Sequence, residues 1–186
     1  MTAVFKAGSV IHIRGENGVG KTTFLRTLAG LHMPLAGRLE WHGEPGADGA
    51  SIRDDICYVA HENGLNGALT PGENLAFLMR LSGRPVATRK IHHVLAELGL
   101  ARVRHRTCRL LSAGQRRRVS LARLWLRDAG LWLLDEPAAA LDTAARTQLA
   151  QRIETQAAQG GIVLFTTHAP LPLTDGRVES LHLSTC

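Results

Sequence analysis

A glycine-rich segment near the start of the chain has the composition and spacing of a phosphate-binding loop. The segment GENGVGKTT, residues 15–23, fits the pattern G-x-x-x-x-G-K-[ST] and lies between an apolar-alternating segment and a helical one. Its glycines let the backbone wrap around phosphates, Lys21 would reach the outer phosphates, and the Thr22 hydroxyl would ligate Mg²⁺. The alternative is a chance glycine-rich turn. The predicted binding residues are Gly15, Glu16, Asn17, Gly18, Val19, Gly20, Lys21, Thr22 and Thr23.

Two adjacent carboxylates follow an apolar segment later in the chain. In LWLLDEP, residues 131–137, the apolar residues predict a buried strand, and Asp135 and Glu136 leave its carboxyl end. Beside the phosphate loop, Asp135 would join Thr22 in holding Mg²⁺, directly or through water. Glu136 would lie near the last phosphate, where a carboxylate can orient and activate an attacking water. The alternative role for such a pair is a helix cap.

A second segment suited to phosphate opens a later helix. In LLSAGQRRRV, residues 110–119, small polar residues precede a helical run, and free N–H groups at a helix N-terminus attract anions. We therefore predict phosphate contacts from Ser112 and from the N–H groups of Gly114 and Gln115. Residues 116–118 are three arginines, for which a solvated helix face with a contact to the neighbouring helices is favoured over direct catalysis.

The composition is that of an ordinary globular chain with excess positive charge. The 186 residues are 45% hydrophobic and 20% charged, enough for one domain, and the net charge is +6, with 19 arginines among 22 basic residues. This charge suits nucleotides, nucleic acid or anionic headgroups, although GC-rich coding also enriches arginine. The cysteines, Cys57, Cys108 and Cys186, lack metal or disulfide spacing. No segment approaches the roughly 20 apolar residues of a membrane span, so the sequence predicts a cytoplasmic protein with peripheral membrane contacts.

Strands and helices alternate at both ends of the chain, which predicts an α/β fold with a mostly parallel sheet. Only helices are predicted between these ends. We therefore expect a single domain, 1–186, in which a helical unit at 62–130 is inserted into a core formed by 1–61 and 131–186. Strands are predicted at 8–15, 37–43, 55–61, 131–137, 161–168 and 176–184, helices at 21–30, 70–83, 88–100, 112–130 and 142–160, and a loop at 43–51.

The motifs GENGVGKTT, LSAGQ, LLDEP, ALD and TTH, in this order, resemble those of the ATP-binding cassette family over nearly the whole chain. The resemblance implies a P-loop ATPase core with an inserted helical subdomain, and two chains packed head to tail. Each ATP would lie between the phosphate loop of one chain and the Ser112 loop of the other, which would explain the second phosphate site.

The same resemblance implies roles for further residues. Glu136, His168 and Lys21 would act in hydrolysis, with ATP and Mg²⁺ as cofactors. The imidazole of His168, the switch histidine that follows Thr167, would contact the last phosphate. Leu141 and Asp142, in the ALD motif, match the loop that links the two ATP sites across the dimer.

His61, at the end of DICYVAH, stands where the family generally has a glutamine that contacts Mg²⁺ and water. This histidine, together with LSAGQRRRVSLARLWL and LWLLDEP, resembles the ATP-binding subunits of cytochrome c maturation systems. The narrower resemblance implies that the chain lies peripherally at the cytoplasmic face of the bacterial inner membrane, bound to membrane-spanning partner subunits. It also implies that ATP hydrolysis is linked to release of a heme-loaded chaperone into the periplasm. It implies no nucleic-acid partner.

One part of the family pattern does not match. The family carries two further strands and an adenine-stacking aromatic before the phosphate loop, whereas 20 residues precede Lys21, and Phe5 lies too late to replace that aromatic. The alternatives are a shortened, impaired cassette, another exporter ATPase, and a soluble cassette ATPase acting on nucleic acid. Soluble members of that kind commonly fuse two cassettes or carry long insertions, which this chain does not have.

Overall fold

The core of the molecule is a five-stranded sheet in which all neighbouring strands are parallel. The computed structural model describes residues 2–41, 44–45 and 55–184. The sheet order is β4-β5-β6-β1-β7, and β2 pairs with β3 in a separate antiparallel hairpin. The predicted α/β fold with a parallel sheet is confirmed. The strands are β1 (Val10–Arg14), β2 (Glu40–Trp41), β3 (Glu44–Pro45), β4 (Ile56–Val59), β5 (Leu131–Leu134), β6 (Ile162–Phe165) and β7 (Val178–His182).

Helices cover both faces of this sheet. On one face, Leu25 of α1 packs in a cluster with Ile11 of β1 and Leu133 of β5. On the other face, Ile153 of α6 packs in a cluster with Trp132 of β5. Every residue of β5 is therefore buried, as the continuous apolar run LWLL predicts for a strand covered on both faces. The helices are α1 (Lys21–Leu28), α2 (Pro71–Leu81), α3 (Thr88–Glu97), α4 (Ala113–Leu121), α5 (Arg123–Leu126) and α6 (Thr143–Ala158).

Helices α2 to α5 pack around an apolar cluster of their own. Leu75 of α2, Leu95 of α3 and Val119 of α4 are fully buried in it. Helix α2 begins with a capping box, in which the Thr70 hydroxyl accepts the Glu73 N–H and the Glu73 carboxylate accepts the Thr70 N–H. The described residues from 60 to 130 contain these helices and two 3₁₀ turns, Ala101–Val103 and Cys108–Leu110, but no strand.

Two predicted elements differ from the structure. The helix expected at 112–130 breaks at Ala122 and ends at Leu126, and Gly130 is held by its N–H donating to Asp55 Oδ1 at 2.7 Å. This partner lies far away in sequence, so the local pattern does not reveal it. The strand expected at 37–43 is reduced to β2, and β3 forms within the predicted loop at 43–51. Residues 42–43 and 46–51 of these two predictions lie outside the described residues.

The other predicted strands and helices are present, each shorter by a few residues at its ends. The edge strand β7 is the most exposed of the sheet, in line with its polar sequence. Phe5 is partly buried against the α1 face of the sheet. Among residues 2–41, 44–45 and 55–184, no helix combines the length and apolar character needed to cross a membrane.

Candidate functional site

The loop between β1 and α1 curls around the N-terminus of α1. Gly18 and Gly20 have positive φ angles of 83° and 102°, which favour glycine. At Gly15, a Cβ would lie 2.7 Å from the Leu183 carbonyl oxygen and 2.8 Å from Val19 Cγ1, so no side chain fits. These glycines place the loop at a helix start, where free N–H groups and the helix dipole attract anions.

Lys21, the first residue of α1, reaches back over the phosphate loop. Its Nζ donates to the backbone oxygens of Gly15 at 2.8 Å and Glu16 at 2.9 Å. The ammonium group is therefore held against the loop by neutral carbonyl oxygens. A phosphate oxygen would be the stronger acceptor at this position, because it carries charge.

Asp135 is buried just beyond the end of β5, and both of its carboxylate oxygens accept hydrogen bonds. Thr22 Oγ1 donates to Oδ2 at 2.9 Å, and Thr166 Oγ1 donates to Oδ1 at 2.8 Å. Donors of this kind offset the cost of removing a carboxylate from water. The two predicted metal ligands, Thr22 and Asp135, are thus in direct contact. A hydroxyl and a carboxylate oxygen are the hard donors that Mg²⁺ prefers, so this pair fits the ion predicted from the sequence.

Glu136 begins the turn after β5 in a strained backbone conformation. Its φ angle is 49°, in the left-handed region that non-glycine residues seldom occupy. The Glu136 N–H donates to Thr166 Oγ1 at 3.0 Å, and its Oε2 accepts the His168 N–H at 3.0 Å. His168 Nε2 lies 3.5 Å from Glu136 Oε1, and the side chains of His168 and Glu136 are 67% and 17% exposed. Strain of this kind persists where the surrounding structure imposes it and often marks functional sites.

Thr166 is a site residue that the sequence did not identify. The family pattern points to Thr167, whose hydroxyl instead donates to the Ala169 carbonyl oxygen at 2.8 Å in a local turn. The Thr166 hydroxyl joins the two acids, because it donates to Asp135 and accepts the Glu136 N–H. The signal was available: Thr166 directly follows β6, and the carboxyl ends of adjacent parallel strands meet at the same edge.

The phosphate loop, the two acids and His168 border a single cavity of about 370 Å³, a usual size for a small-molecule site. His61 lines this cavity, as its position in the pattern predicts. Phe5 is not among the lining residues, and neither are Gly15, Glu16 and Val19 of the loop. The lining residues are Asn17, Gly18, Gly20, Lys21, Thr22, Thr23, His61, Asp135, Glu136, Thr166 and His168.

The predicted second phosphate segment is absent from this lining and forms the cap of α4. Ser112 Oγ accepts the Gln115 N–H at 3.2 Å, and Gln115 Oε1 accepts the Ser112 N–H at 2.9 Å. In the single chain the cap therefore engages the Gln115 N–H, and the predicted contact of this N–H with a partner's phosphate stays a prediction. The Ser112 hydroxyl keeps its own proton for another acceptor.

The start of α4 contacts the segment that precedes α6. A Cβ added to Gly114 would lie 2.7 Å from the Ala140 carbonyl oxygen. Leu141, next in the chain, is buried in the sheet core, and Asp142 caps α6 by accepting the Ala145 N–H at 2.8 Å. The ALD segment is thus fixed at both ends and lies against the Ser112 segment of the same chain.

Arg117 corrects the expectation that residues 116–118 form a solvated face. It is 2% exposed, and its guanidinium donates to backbone oxygens next to the cavity, at Asp135 and Glu136 among others. Burial lowers the pKa of Arg117 to about 10, so the group stays charged at neutral pH. A signal existed here too: Arg117 shares an i, i+4, i+7 spacing with Leu121 and Leu124, which face the core.

His12 of β1, for which the sequence gave no role, lies beside the loop that carries His168. Its ring stacks on Phe165 with centroids 4.8 Å apart, and it hydrogen-bonds the Thr167 backbone. Its Nδ1 accepts the Arg14 Nε–H at 3.1 Å. Burial, and next the positive charge of Arg14, lower the pKa of His12 below its usual value.

Comparison with known proteins places this geometry in a family. The sequence model described as ABC transporter matches residues 1–139. The cytochrome c biogenesis ATP-binding export protein CcmA of Escherichia coli K12 is 40% identical over 185 residues, which are 99% of this chain and 87% of that protein.

Solved structures agree in fold. An ATP-binding subunit of an ABC transporter superposes with a TM-score of 0.77 at 29% identity, covering 88% of this chain and 69% of its own. A dimeric ATP-binding cassette in a post-hydrolysis state, bound to ADP and phosphate, superposes with a TM-score of 0.78 at 25% identity, covering 90% and 78% of the two chains.

Proposed function

The chain belongs to the ABC transporter family, and on that premise we propose that it is the ATP-hydrolysing subunit of an exporter in cytochrome c biogenesis. The observation that carries the ATPase proposal is an unbroken series of contacts from Thr22 through Asp135 and Thr166 to Glu136 and His168. The export role is supported by 40% identity to CcmA over nearly the whole chain.

In the proposed reaction, ATP lies with its phosphates along the loop at residues 15–23. Lys21 exchanges its two carbonyl partners for phosphate oxygens, because charged acceptors give stronger hydrogen bonds. Glu136 orients a water molecule in line with the last phosphate and takes its proton as the water oxygen bonds to phosphorus. The bond to the ADP oxygen breaks, and the products are ADP and phosphate.

His168 and Thr166 hold the base in place. The His168 N–H donates to the Glu136 carboxylate, and Thr166 fixes the Glu136 backbone, so the carboxylate is oriented before water arrives. The imidazole of His168, which is exposed beside Glu136, donates to the last phosphate in this scheme. Mg²⁺, held by Thr22 and Asp135, supplies positive charge against the phosphates when it is bound.

The start of α4 is proposed to complete the site of a second chain. Ser112, Gly114 and Gln115 do not line the chain's own cavity, although a helix start attracts anions. In a head-to-tail dimer, the Ser112 hydroxyl and the Gly114 N–H meet the last phosphate of the partner's ATP. The similar cassette bound to ADP and phosphate is dimeric, which supports this arrangement.

The separate apolar cluster of α2 to α5 supports the proposed division into a helical subdomain, 62–130, and a core of 1–61 and 131–186 within one domain. Closure of the dimer moves the helical subdomain against membrane-spanning partner subunits at the cytoplasmic face of the inner membrane. ATP hydrolysis thereby drives release of a heme-loaded chaperone. Nucleic acid is not a partner in this scheme.

The first test measures the mass of the Glu136→Gln variant by light scattering with and without Mg·ATP. We expect a dimer only with nucleotide, because binding persists while hydrolysis is blocked. Adding Ser112→Arg should keep the protein monomeric while a fluorescent ATP analogue still binds, and Lys21→Ala should abolish binding or turnover. A Glu136→Gln variant that stays monomeric with Mg·ATP would reject the head-to-tail dimer, and normal turnover in Lys21→Ala would reject the role of Lys21 in hydrolysis.

The export role is tested in the source organism. Deleting the gene should remove c-type cytochromes, which are detected by heme staining of membrane proteins, and the wild-type gene should restore them. Lys21→Ala is the matched control and should not restore them. Normal c-type cytochromes after deletion would reject this role and leave the ATPase proposal standing.

A further inference from the structure

Arg117, in the middle of α4, connects this helix to two segments that border the cavity. Its guanidinium is buried and donates to backbone oxygens of the segments that follow the paired strands β4 and β5. On the β4 side, Nη1 bonds the carbonyls of Ala60 at 2.8 Å and His61 at 3.2 Å. On the β5 side, Nη2 bonds Asp135 O at 2.8 Å and Glu136 O at 2.9 Å.

These bonds form a rigid connection. Nε adds a bond to Pro137 O at 3.3 Å, so the guanidinium holds three consecutive residues of the turn that contains Glu136. A buried guanidinium that moved would leave its own donors and these carbonyls unpaired, which is costly away from water. A displacement of α4 is therefore passed to the turn rather than absorbed by the side chain.

The turn that receives this displacement is the strained one. Glu136 is held at φ 49°, with its N–H fixed by Thr166 and its carbonyl fixed by Arg117. Since both ends of the residue are fixed, a small shift of α4 changes the direction of the Glu136 carboxylate. The same shift moves the backbone at His61, which also lines the cavity.

We infer that Arg117 is a positioning residue that transmits contact between α4 and the partner's nucleotide to Glu136 in the chain's own cavity. This inference rests on the proposed head-to-tail dimer. The neighbouring arginines do not have this geometry: Arg118 Nη1 donates to Leu98 O at 3.3 Å, within the helical subdomain. Through Arg117, contact between a chain's Ser112 segment and the partner's ATP adjusts the direction of that chain's own base, which His168 and Thr166 already hold.

The first experiment needs no activity. Arg117→Lys keeps the charge but loses the planar fork that bonds both segments. In Arg117→Lys, hydrogen exchange at residues 134–138 of the isolated chain should become faster, while exchange in α4 stays as in the wild type. The control variant Arg118→Gln should keep the wild-type thermal midpoint. Unchanged exchange at 134–138 in Arg117→Lys would overturn the inference, whether or not the protein hydrolyses ATP.

The second experiment is a double-mutant cycle on kcat with Ser112→Ala. Each single substitution, Ser112→Ala and Arg117→Lys, should lower kcat by about tenfold. The kcat of the double variant should fall by about the same factor as that of either single variant, because both substitutions interrupt one connection. Arg118→Gln alone should keep the wild-type kcat. Adding it to Ser112→Ala should leave the kcat of Ser112→Ala unchanged.

The outcomes separate the two proposals. Independent, multiplied losses in the Ser112→Ala, Arg117→Lys double variant would overturn the transmission role, even if hydrogen exchange responds. A raised KM with unchanged kcat in Arg117→Lys would also overturn it, because a positioning role acts on the chemical step. A wild-type protein without ATPase activity would reject the proposed function, and hydrogen exchange at 134–138 would still decide the role of Arg117.

Discussion

Gly114, at the start of α4, lies directly against the backbone of Ala140, so that a Cβ on Gly114 would be only 2.7 Å from the Ala140 oxygen. Ala140 itself has a φ angle of 60°, which leaves its carbonyl little freedom to withdraw. The start of α4 and the segment that leads to α6 are therefore packed as one unit. Any side chain at position 114 must move one against the other.

Gly114→Ala should for this reason lower the ATPase rate by about 100-fold, since displacements near 1 Å in positioning elements have effects of that size. Binding of a fluorescent ATP analogue to the single chain should be unchanged, because position 114 does not line the chain's own cavity. Steady-state hydrolysis and equilibrium binding measure the two effects separately.

Gly72 supplies the matched control for Gly114. It is the second residue of α2, as Gly114 is of α4, but the nearest atom to its added Cβ is His92 Nε2 at 3.8 Å, an ordinary contact. Gly72→Ala should keep full activity and raise stability slightly, because alanine favours helix by about 1 kcal/mol over glycine. Equal activity in the two alanine variants would contradict the close contact at Gly114.

Thr166→Val removes the hydroxyl that joins Asp135 and Glu136 while keeping the shape of the side chain. Asp135 Oδ1 and the Glu136 N–H both lose a partner, so kcat should fall by about 10- to 100-fold, as for other supporting bonds at metal sites. Unfolding in urea should show a loss of about 1–3 kcal/mol from the unpaired buried groups. Thr166→Ser keeps the hydroxyl, so its kcat and its free energy of unfolding should be close to those of the wild type. A serine variant as defective as the valine variant would show that loss of the hydroxyl is not the cause.

The sequence could predict the phosphate loop and the two acids because each depends on a local pattern. Glycine spacing at 15–20 and an apolar run before Asp135 define both the backbone and the side chains that it presents. Thr166 and Thr167 illustrate the limit, since both are threonines at the end of one strand. Their roles depend on which hydroxyl faces the neighbouring strand, and the tertiary structure determines this.

The arginines at 116–118 illustrate the same limit on a helix. Successive residues point about 100° apart, so the three arginines face different directions. Their composition does not identify the buried one, whereas the spacing of Arg117 from Leu121 and Leu124 does. Gly130, which lies within the predicted helix but beyond its observed end, is held by Asp55, which is distant in sequence. Elements that are determined by such non-local contacts were missed, whereas those with a clear apolar period were found.

His12 predicts how stability depends on pH. Its pKa is lowered from the usual value of 6.5 by burial and by Arg14, so the folded state favours the neutral imidazole. The unfolded state then binds more protons than the folded state as the pH falls. The stability contributed by neutral His12 is therefore complete above the unfolded-state pKa of about 6.5. It is lost as the pH falls from that value to the lower pKa of the folded state. Urea unfolding at several pH values between 7.5 and 5 measures this decline.

His12→Phe keeps the stack on Phe165 but cannot titrate, so its stability should decline less on acidification than that of the wild type. Glu136 and His182 also act on His12, and they remain in the variant. His93→Gln, at an exposed histidine of α3, should follow the wild-type curve. If His12→Phe and the wild type lose the same stability between pH 7.5 and 5, His12 does not govern this dependence.

Asn74, on α2, fixes the segment that joins the cavity wall at His61 to the helical subdomain. Its buried amide accepts the Asn66 N–H at 2.8 Å, and Nδ2 donates to Asn66 O at 3.0 Å and to Thr70 O at 3.1 Å. Asn74→Asp replaces the donor with an oxygen that faces two carbonyls, so it should lower the free energy of unfolding by about 3 kcal/mol. Asn66→Asp is the control, because the exposed Asn66 side chain accepts the Ala68 N–H and a carboxylate can do the same. Equal urea midpoints for the two aspartate variants would show that the donor at Asn74 is dispensable.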